Sequence, residues 1–518
     1  MRALDRNCRR LAHSLLLVIL TAPAMAQLRV ATWNITNYSG GRTADIQTAV
    51  YGVFSGRTFA PDVLMAQEVL SASAQAALLS ALDNAAGGPG DWAMATFVDG
   101  PDTDSSFFYR TSKVSLVGQV TVAVGGVSPN HPRNIMRYDV RLAGYDSAAA
   151  TLACYSSHMK AQESGSDDDN RRRLEAQRIR DNAETLPAGW NFVLGADFNI
   201  QNSASLEYQD LVGSQVNDAG RFFDPINTPG TWNNNGAFRY VHTQDPVGAG
   251  GMDDRYDQLL VSSGLRDGDG FDYLGNSAIP YSTVSWSDTN HSYRCWGNDG
   301  TSFNLAMTIT NNQMVGTAIA QAIANSTGGS AGHLPVFADF RVPPLADAPA
   351  TLDFGQVPQD EPAELVLTVT NSGDTALWTA NGISPLVYSL SATAGFTAPG
   401  GSFNDAAGGG GVNHLISMDT SAVGPMSGTL TITSNAPESP TLVVSLVGEV
   451  IGAGFAPGDV NCDGAINVLD INPFTLALSD PVAYAAMYPG CDIDLADVNG
   501  DGNVDVLDIN PFIALLSG

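Results

Sequence analysis

The stretch 191–200, NFVLGADFNI, constrains the fold most strongly, because a short apolar run ends there in a group of polar residues. An apolar run of this length before a small residue is typical of a buried strand. Alternate residues of a strand share one face, so Asp197 and Asn199 are predicted to project to the same side. An Asx turn after the strand would use the same residue types. The choice between the two interpretations depends on the rest of the chain.

Six segments of the first 341 residues have apolar runs that end, or begin, at polar side chains in the same way. In chain order these polar residues are Asn34, Glu68, His158, Asp197, Asn199, Asp257 and His333. Each taken alone has a structural interpretation, such as a salt bridge for Glu68 or a core histidine for His158. A buried polar group without a partner costs about 1–3 kcal/mol, so each must pair, hydrogen-bond or coordinate an ion.

The same region also contains helical patterns between its strand patterns. Residues 167–185 are highly charged, with Leu174, Ile179 and Ala183 at helical spacing, which predicts a solvent-facing helix. Strands and hairpins alternating with helices predict packed sheets with outer helices, an α/β sandwich.

Charge divides the chain near residue 342. Residues 27–341 hold 20 Lys and Arg against 32 Asp and Glu, a net charge of −12, whereas residues 342–518 hold 20 acidic residues and no Lys or Arg. A segment without cationic side chains cannot bind a polyanion through ion pairs. Phosphate chemistry is therefore predicted in the first part, and 518 residues are too many for one hydrophobic core.

The N-terminal residues 1–26 have the form of a signal peptide. Four Arg residues precede the apolar run 15–20, and Ala-Met-Ala at 24–26 has the small-x-small form of a cleavage site. That run is far shorter than the ~20 residues that span a bilayer, and no later segment is long enough. The sequence predicts a protein that is secreted or held at the cell surface, without a membrane span.

Four cysteines remain after removal of residues 1–26. An even number in an oxidising compartment permits disulfides. We favour Cys462 with Cys491, since both lie in one small C-terminal module, and we expect Cys154 to be a buried free thiol.

The motifs WN, QE, SSH, GADFN, YDQLLVS and GHLPV, in this order, resemble those of the endonuclease/exonuclease/phosphatase superfamily, whose familiar member is pancreatic deoxyribonuclease. The resemblance covers residues 27–341. It implies a four-layer α/β sandwich and a metal-dependent phosphoric ester hydrolase that uses Mg²⁺ or Mn²⁺.

The resemblance also implies roles for individual residues. Glu68 would be the main metal ligand, with Asn34 beside it. Asp197 would orient the attacking water or share the ion, and Asn199 would hold a phosphate oxygen. Hard divalent ions prefer such oxygen ligands and stabilise charge on phosphate.

The two histidines, His158 and His333, would bind phosphate and transfer protons, which suits a side chain that titrates near neutral pH. Asp257 would support His333. Arg133 stands where a phosphate-contacting arginine occurs in the deoxyribonuclease branch.

One position departs from the superfamily pattern. The residue before the last histidine is usually Asp, but here it is Gly332, and Asp299 is a hypothetical substitute from a loop. That loop belongs to the insertion 281–315. Its residues His291, Tyr293, Arg294 and Trp296 could stack on bases and bind phosphate, or could simply pack the loop.

The remainder of the chain contains a linker and two further modules. Residues 342–349 form a Pro-containing linker, and residues 350–450 show short alternating strands that predict an all-β sandwich. This segment resembles the immunoglobulin-like spacer modules of secreted and ciliary proteins.

Residues 456–518 contain a repeat, DVNCDGAINVLDINPF and DVNGDGNVDVLDINPF, with oxygen-bearing residues at loop positions 1, 3, 5, 9 and 12. The predicted Ca²⁺ ligands are Asp459, Asn461, Asp463, Asn467 and Asp470 in the first loop and Asp497, Asn499, Asp501, Asp505 and Asp508 in the second. The paired loops resemble a dockerin, a small helical module that binds cohesins, so a cohesin-like or cell-surface partner is expected.

Together these patterns predict a secreted, metal-dependent phosphodiesterase whose substrate is DNA or RNA. Two alternatives remain open. One is a lipid or inositol phosphatase or a sphingomyelinase-type enzyme, and the other is a catalytically inactive adhesion protein.

Overall fold

The computed structural model describes residues 27–162, 167–248, 250–327, 329, 331–452 and 454–517. The predicted signal peptide lies outside these residues. Within them, none of the helices combines the length and apolar character needed to cross a membrane.

Within the described residues of 27–341 there are twelve strands and five α-helices. The strands are β1 (Leu28–Tyr38), β2 (Val63–Val69), β3 (Trp92–Met94), β4 (Asp104–Arg110), β5 (Val114–Ala123), β6 (Ile135–Leu142), β7 (Thr151–His158), β8 (Asn191–Asp197), β9 (Asp257–Val261), β10 (Asp272–Tyr273), β11 (Arg294–Cys295) and β12 (Val336–Arg341). The helices are α1 (Thr43–Tyr51), α2 (Ala72–Asp83), α3 (Asp167–Ala183), α4 (Leu206–Val212) and α5 (Gly316–Ser326), with short 3-10 turns at Ala148–Ala150, Gly236–Phe238 and Ser263–Leu265.

The strands form two sheets that pack face to face. The first has the order β10-β12-β1-β2-β4-β3 with β11 also on β12, and the second has the order β5-β6-β7-β8-β9. Successive side chains of a strand point to opposite faces of its sheet, and each face packs against a different layer. In β1, Val30 faces the core between the two sheets, whereas the next residue, Ala31, packs against α1, α2 and α5. Helices α3 and α4 cover the outer face of the second sheet. The predicted mixed α/β architecture is confirmed.

The two sheets approach each other closely at Gly195 in β8. A Cβ atom there would lie 2.4 Å from Met65 Cε and 2.9 Å from Thr32 Cβ, both in the first sheet. Only glycine fits without displacing the opposite sheet, which explains the small residue in the middle of an apolar strand.

Helix α3 differs from its prediction as a solvent-facing helix, because several of its charged side chains are buried. Arg172 lies against Glu207 of α4, and Arg180 donates hydrogen bonds to the carbonyl groups of Leu211 and Gly213. Long charged side chains are buried only when they are paired in this way. They fasten α3 to α4 rather than face water.

Glu175 of α3 is also fully buried. One carboxylate oxygen accepts the Lys160 N–H at 2.9 Å, and the other has no hydrogen-bond partner. Burial raises the pKa of Glu175 from 4.5 to about 8, although Arg133 and Arg172 oppose the rise.

This buried carboxyl group should make stability depend on pH. Since its pKa is higher in the folded state, the folded protein binds more protons between about pH 4.5 and pH 8, and this contribution to the free energy of unfolding falls as pH rises. We expect Glu175→Gln to be more stable than wild type at pH 9 by about 1–3 kcal/mol, with little gain at pH 5. Urea unfolding at both pH values tests this, and an equal difference at both would contradict it.

The described residues after 341 contain nine strands and three α-helices. The strands are β13 (Ala346–Asp347), β14 (Thr351–Pro358), β15 (Ala363–Asn371), β16 (Leu386–Ala392), β17 (Phe396–Thr397), β18 (Phe403–Asp405), β19 (Val412–Met418), β20 (Gly424–Ser434) and β21 (Thr441–Ile451). The helices are α6 (Ile471–Ser479), α7 (Pro481–Met487) and α8 (Ile509–Leu516), with 3-10 turns at Ala380–Gly382, Val468–Asp470, Ile493–Ala496 and Val506–Asp508.

Strands β13 to β21 form a four-stranded and a five-stranded sheet around a shared apolar core. This two-sheet unit contacts the first part of the chain directly. Lys113 Nζ donates to the Leu377 carbonyl, and the Glu438 carboxylate accepts the N–H groups of Asp146 and Ser147.

The C-terminal module has a small core built on the stacked rings of Phe474 and Phe512, whose centroids are 4.0 Å apart. A disulfide joins Cys462 and Cys491, the favoured pairing, while Cys154 is a buried free thiol as expected.

Candidate active site

The predicted site residues meet at one end of the paired sheets. Asn34 and Glu68 lie near the ends of β1 and β2, which run parallel, and His158 and Asp197 end the parallel strands β7 and β8. The remaining two residues reach the same edge from antiparallel segments: Asp257 begins β9 opposite Asp197, and His333 lies three residues before β12. The parallel pairing of strands far apart in sequence therefore brings the scattered motifs together.

Asn34 lies between two carboxylates. Its Nδ2 atom donates to Glu68 Oε1 and to Asp197 Oδ2, each at 2.9 Å, and its oxygen accepts the Thr36 N–H at 3.0 Å. Glu68 has the uncommon left-handed φ of 61°, and its second oxygen accepts the Asn37 N–H at 2.8 Å. A strained non-glycine backbone of this kind persists where the surroundings fix a side chain in place.

The two histidines flank Asp197. His158 Nε2 lies 3.4 Å and His333 Nε2 lies 3.6 Å from Asp197 Oδ2, while His158 Nδ1 is 3.6 Å from Glu68 Oε1. His333 Nδ1 contacts Asp257 Oδ2 at 2.7 Å. Asp257 thus fixes one nitrogen of His333 and leaves the other directed at Asp197.

Burial and neighbouring charges give the two histidines opposite protonation. Burial and the nearby Arg133 lower the pKa of His158 well below its ordinary value. Burial alone would also lower the pKa of His333, but Asp257 and Asp197 raise it to about 10. At neutral pH His158 is therefore neutral and His333 is an imidazolium, a separation of acid and base roles by environment.

Asp197 titrates abnormally in the same site. Burial raises the pKa of Asp197 to about 6, with Asp257 and Glu68 contributing to the rise and His333 and Asn34 opposing it. A carboxylate held near the neutral range in a buried cluster is typical of a functional group.

The donor set fits a divalent cation. The ligand atoms of Glu68, His158 and Asp197 all lie within 4.8 Å of one another. Two further buried atoms, His158 Nδ1 and Asp257 Oδ1, have no hydrogen-bond partner in the part of the chain that the structure describes. Buried carboxylates this close repel each other unless a cation or protons neutralise them, so a Mg²⁺ or Mn²⁺ ion suits these residues.

Two other predicted residues lie at the rim. Asn199, with φ 51°, donates its amide to the Met159 carbonyl at 3.2 Å and its N–H to Asp197 Oδ1 at 3.2 Å. Arg133 pairs with Asp102 at 3.2 Å and its Nη1 lies 3.4 Å from the His158 carbonyl oxygen. Arg133 is thus beside the site, with part of its charge balanced by Asp102.

Sequence reasoning missed a buried polar network under the site. Gln67 of β2 reaches across to the second sheet, where its Nε2 donates to Ser156 Oγ at 3.1 Å, and it also donates to Thr32 Oγ1 at 3.1 Å. The Trp33 indole donates to the His333 carbonyl at 3.2 Å. Trp33, Gln67 and Ser156 are the first residues of the motifs WN, QE and SSH. The hydrogen-bonding group at the first position of each motif was therefore the available signal.

The residues of the insertion 281–315 that the sequence suggested for substrate binding do not contact the site residues. His291, Tyr293 and Trp296 are buried, and Arg294 donates to the carbonyl groups of neighbouring loop residues. Asp299 binds Thr301 with one oxygen and the Gln313 N–H with the other. These contacts support the packing interpretation and hold the Asp299 side chain within its own loop.

Position 332 has no room for a side chain. A Cβ atom at this position would lie 2.3 Å from Thr327 Cβ and 2.9 Å from the Thr327 carbonyl oxygen. No side chain, and therefore no carboxylate, fits here without a shift of the backbone.

We expect Gly332→Ala to lower the free energy of unfolding by about 1–3 kcal/mol through overpacking. Gly236→Ala is the control, because its Cβ would meet no atom closer than 3.4 Å. Thermal and urea unfolding measure both variants, and equal stability of the two would contradict the steric argument.

The two C-terminal loops have matching geometry. Asp470 and Asp508, at position 12, are fully buried and accept the N–H groups of Asn461 and Asn499 at 3.0 and 2.9 Å. Asn467 and Asp505, at position 9, cap the following turns. The other predicted ligands lie in the same loops: Asp459, Asp463, Asp497 and Asp501. The donor set is all oxygen, as Ca²⁺ prefers.

No protein-family model matches the chain, and no curated protein matches it in sequence. Similar solved structures include the human Nocturnin catalytic domain with bound sulfate (13% identity, 61% of this chain and 94% of that chain, TM-score 0.34). Truncated TDP2 of Caenorhabditis elegans (14%, 61% and 97%, TM-score 0.35) and a mannosyl-6-phosphatase of Bacteroides thetaiotaomicron (14%, 60% and 99%, TM-score 0.33) are also similar. At this level of similarity the function has to be argued from the geometry of the site.

Proposed function

We propose that residues 27–341 form a metal-dependent phosphodiesterase that hydrolyses nucleic acid. The observation that carries the proposal is the convergence of Glu68, Asp197 and two histidines on one buried point. Phosphodiester hydrolysis needs an activated water, a proton for the leaving oxygen and positive charge near the phosphate. The site contains groups for all three.

Glu68 and Asp197, with Asn34 between them, would hold the cation, which supplies positive charge to the phosphate oxygens when bound. Neutral His158 can accept a hydrogen bond from, or a proton of, a water beside Asp197. Charged His333, fixed by Asp257, can donate its Nε2 proton to a phosphate oxygen or to the leaving oxygen. Asn199 and Arg133 at the rim would bind the phosphate group.

The substrate is proposed from the resemblance of the motifs to the deoxyribonuclease branch. A net charge of −12 in this region opposes long-range attraction of nucleic acid, but screening acts beyond about 8 Å at physiological salt. Local contacts at the rim then decide binding.

A substrate panel tests the proposal. The full chain is incubated with plasmid DNA, RNA, sphingomyelin and inositol polyphosphates, with Mn²⁺, Mg²⁺ or chelator, beside His158→Ala. Metal-dependent cleavage of DNA or RNA, lost in His158→Ala, is the expected result. Release of phosphocholine or inorganic phosphate with intact DNA would indicate the lipid or inositol alternative, and no cleavage of any substrate would indicate an adhesion protein.

We further propose that the chain is exported and that residues 456–518 bind Ca²⁺ and dock to a cohesin-like or cell-surface partner. The repeated apolar pairs Val468-Leu469 and Val506-Leu507 support docking, since each of these side chains is 62–73% exposed. Ca²⁺-dependent retention of the full chain on producing cells, lost when all four residues are changed to Ser, is the expected result. Retention that ignores both Ca²⁺ and the substitutions would refute the docking proposal.

A further inference from the structure

Asp245 lies directly across from Gly332. Gln244 and His333 form an antiparallel bridge, and the Asp245 N–H donates to the Gly332 carbonyl at 2.9 Å. Residues that face each other in an antiparallel pair project to the same side. The Asp245 side chain therefore occupies the side to which a residue at 332 would project.

Position 332 cannot itself supply a carboxylate, because Thr327 fills the space that a Cβ would need. Asp299 is held within its own loop, where it accepts hydrogen bonds from Thr301 and Gln313, and it does not belong to the described groups of acidic and histidine side chains at the site. Asp245 is left as the acidic side chain placed against the segment that leads into His333.

Asp245 itself has the marks of a constrained functional residue. Its φ is 60°, in the left-handed region that non-glycine residues seldom adopt. Its Oδ1 atom is shielded from solvent, and none of the described residues donates a hydrogen bond to it. Such an oxygen is destabilising by about 1–3 kcal/mol unless something binds it.

The carboxyl group of Asp245 interacts electrostatically with His333 of the candidate site. Burial, with Asp253 and Asp254, raises the pKa of Asp245 to about 6, and the positive charge of His333 opposes that rise. His333 also contacts Asp197 and Asp257. Asp245 thus adds a further carboxyl group in the neighbourhood of His333.

We propose that Asp245 is a further carboxylate beside the catalytic centre, which strengthens the binding of the divalent cation through an intervening water. This inference rests on the proposed metal-dependent hydrolysis. In this chain the carboxylate that cannot be placed at position 332 would come instead from Asp245, on the paired segment.

The test compares Asp245→Asn with Asp253→Asn in the full chain. Asn tolerates the left-handed backbone and keeps the N–H bond to Gly332, so the variant removes only the charge. Asp253 is the matched control, since it is a partly exposed acid of the same neighbourhood whose side chain makes no hydrogen bond in the described residues. Asp245→Glu is a second variant that retains a carboxylate.

Two readouts are used: Mn²⁺ binding, followed by the electron paramagnetic resonance of the free ion, and the Mn²⁺ concentration for half-maximal hydrolysis. The C-terminal loops are identical in all variants, so any difference between isotherms belongs to the first part of the chain. We expect Asp245→Asn to weaken one class of Mn²⁺ site by about tenfold, Asp253→Asn to change it less than twofold, and Asp245→Glu to be intermediate.

Equal Mn²⁺ isotherms for wild type, Asp245→Asn and Asp253→Asn would overturn the inference while leaving the proposed hydrolysis intact. Equal losses in Asp245→Asn and Asp253→Asn would also overturn it, because they would indicate a general charge effect. Absence of hydrolysis in wild type would instead refute the proposed function, and the binding isotherms would still decide the role of Asp245.

Discussion

Replacement of Asp197 by Asn should lower the rate of phosphodiester hydrolysis by about a thousandfold at saturating Mn²⁺. Asp197 Oδ2 is the atom that both His158 Nε2 and His333 Nε2 approach, and it accepts a hydrogen bond from Asn34. Asn is nearly the same size but uncharged, so the packing remains while the charge at the centre is lost. Single-turnover assays on the substrate found in the panel measure the loss.

The same substitution should leave the melting temperature unchanged or raise it when chelator is present. Asp197 is buried close to Glu68 and Asp257, and burial raises its pKa to about 6. Removing one negative charge from a crowded, buried cluster relieves repulsion, as is common where activity requires a destabilised site.

Asp339→Asn is the matched control at the other end of the first sheet. Asp339 is also buried, and it pairs with Arg29 at 2.6 Å. This variant should lose stability and retain the rate of hydrolysis of the folded enzyme. An active Asp197→Asn protein would contradict the assignment of the centre.

Withdrawal of Ca²⁺ should unfold residues 456–517 while the two larger units stay folded. The two loops contain seven Asp and no Lys or Arg, and Asp470 and Asp508 are fully buried. Ca²⁺ at 100–1,000 times its Kd would stabilise the module by about 2.7–4.1 kcal/mol per site. With two such sites in the module, its amide hydrogens should therefore exchange at least about 100-fold faster in chelator.

Hydrogen-exchange mass spectrometry of the full chain measures this effect. Strands β15 and β19 serve as the internal control, since they lie in a separate core. Added Ca²⁺ should restore protection. Unchanged exchange of the C-terminal module in chelator would show that its fold does not depend on the ion.

The parts of the site that could be predicted from sequence are those set by local pattern. The apolar runs before Glu68, His158 and Asp197 specify strands, and the small residue Gly195 marks where the sheets meet. Parallel pairing then places the strand ends at one edge. The sequence order of the motifs was sufficient to propose the metal and the two histidines.

Other features depend on contacts between segments distant in sequence. The charged pattern of α3 predicted exposure, but Arg172 and Arg180 are buried because α4 and its following loop supply carboxylate and carbonyl partners. The position of Asp245 opposite Gly332 arises from a bridge across 89 residues. Nothing in the local sequence of either residue indicates the other.

The two-sheet unit of β13 to β21 meets the first part of the chain at the ends of the strands remote from the candidate site. Glu438 binds the segment just before β7, whereas His158 ends that strand eight residues later, a distance of roughly 23 Å. If the C-terminal module docks as we propose, the support therefore holds the first part of the chain from the strand ends opposite the candidate site. The edge that carries Glu68 and Asp197 would then face away from the support, where long polymers in the surrounding medium can reach it.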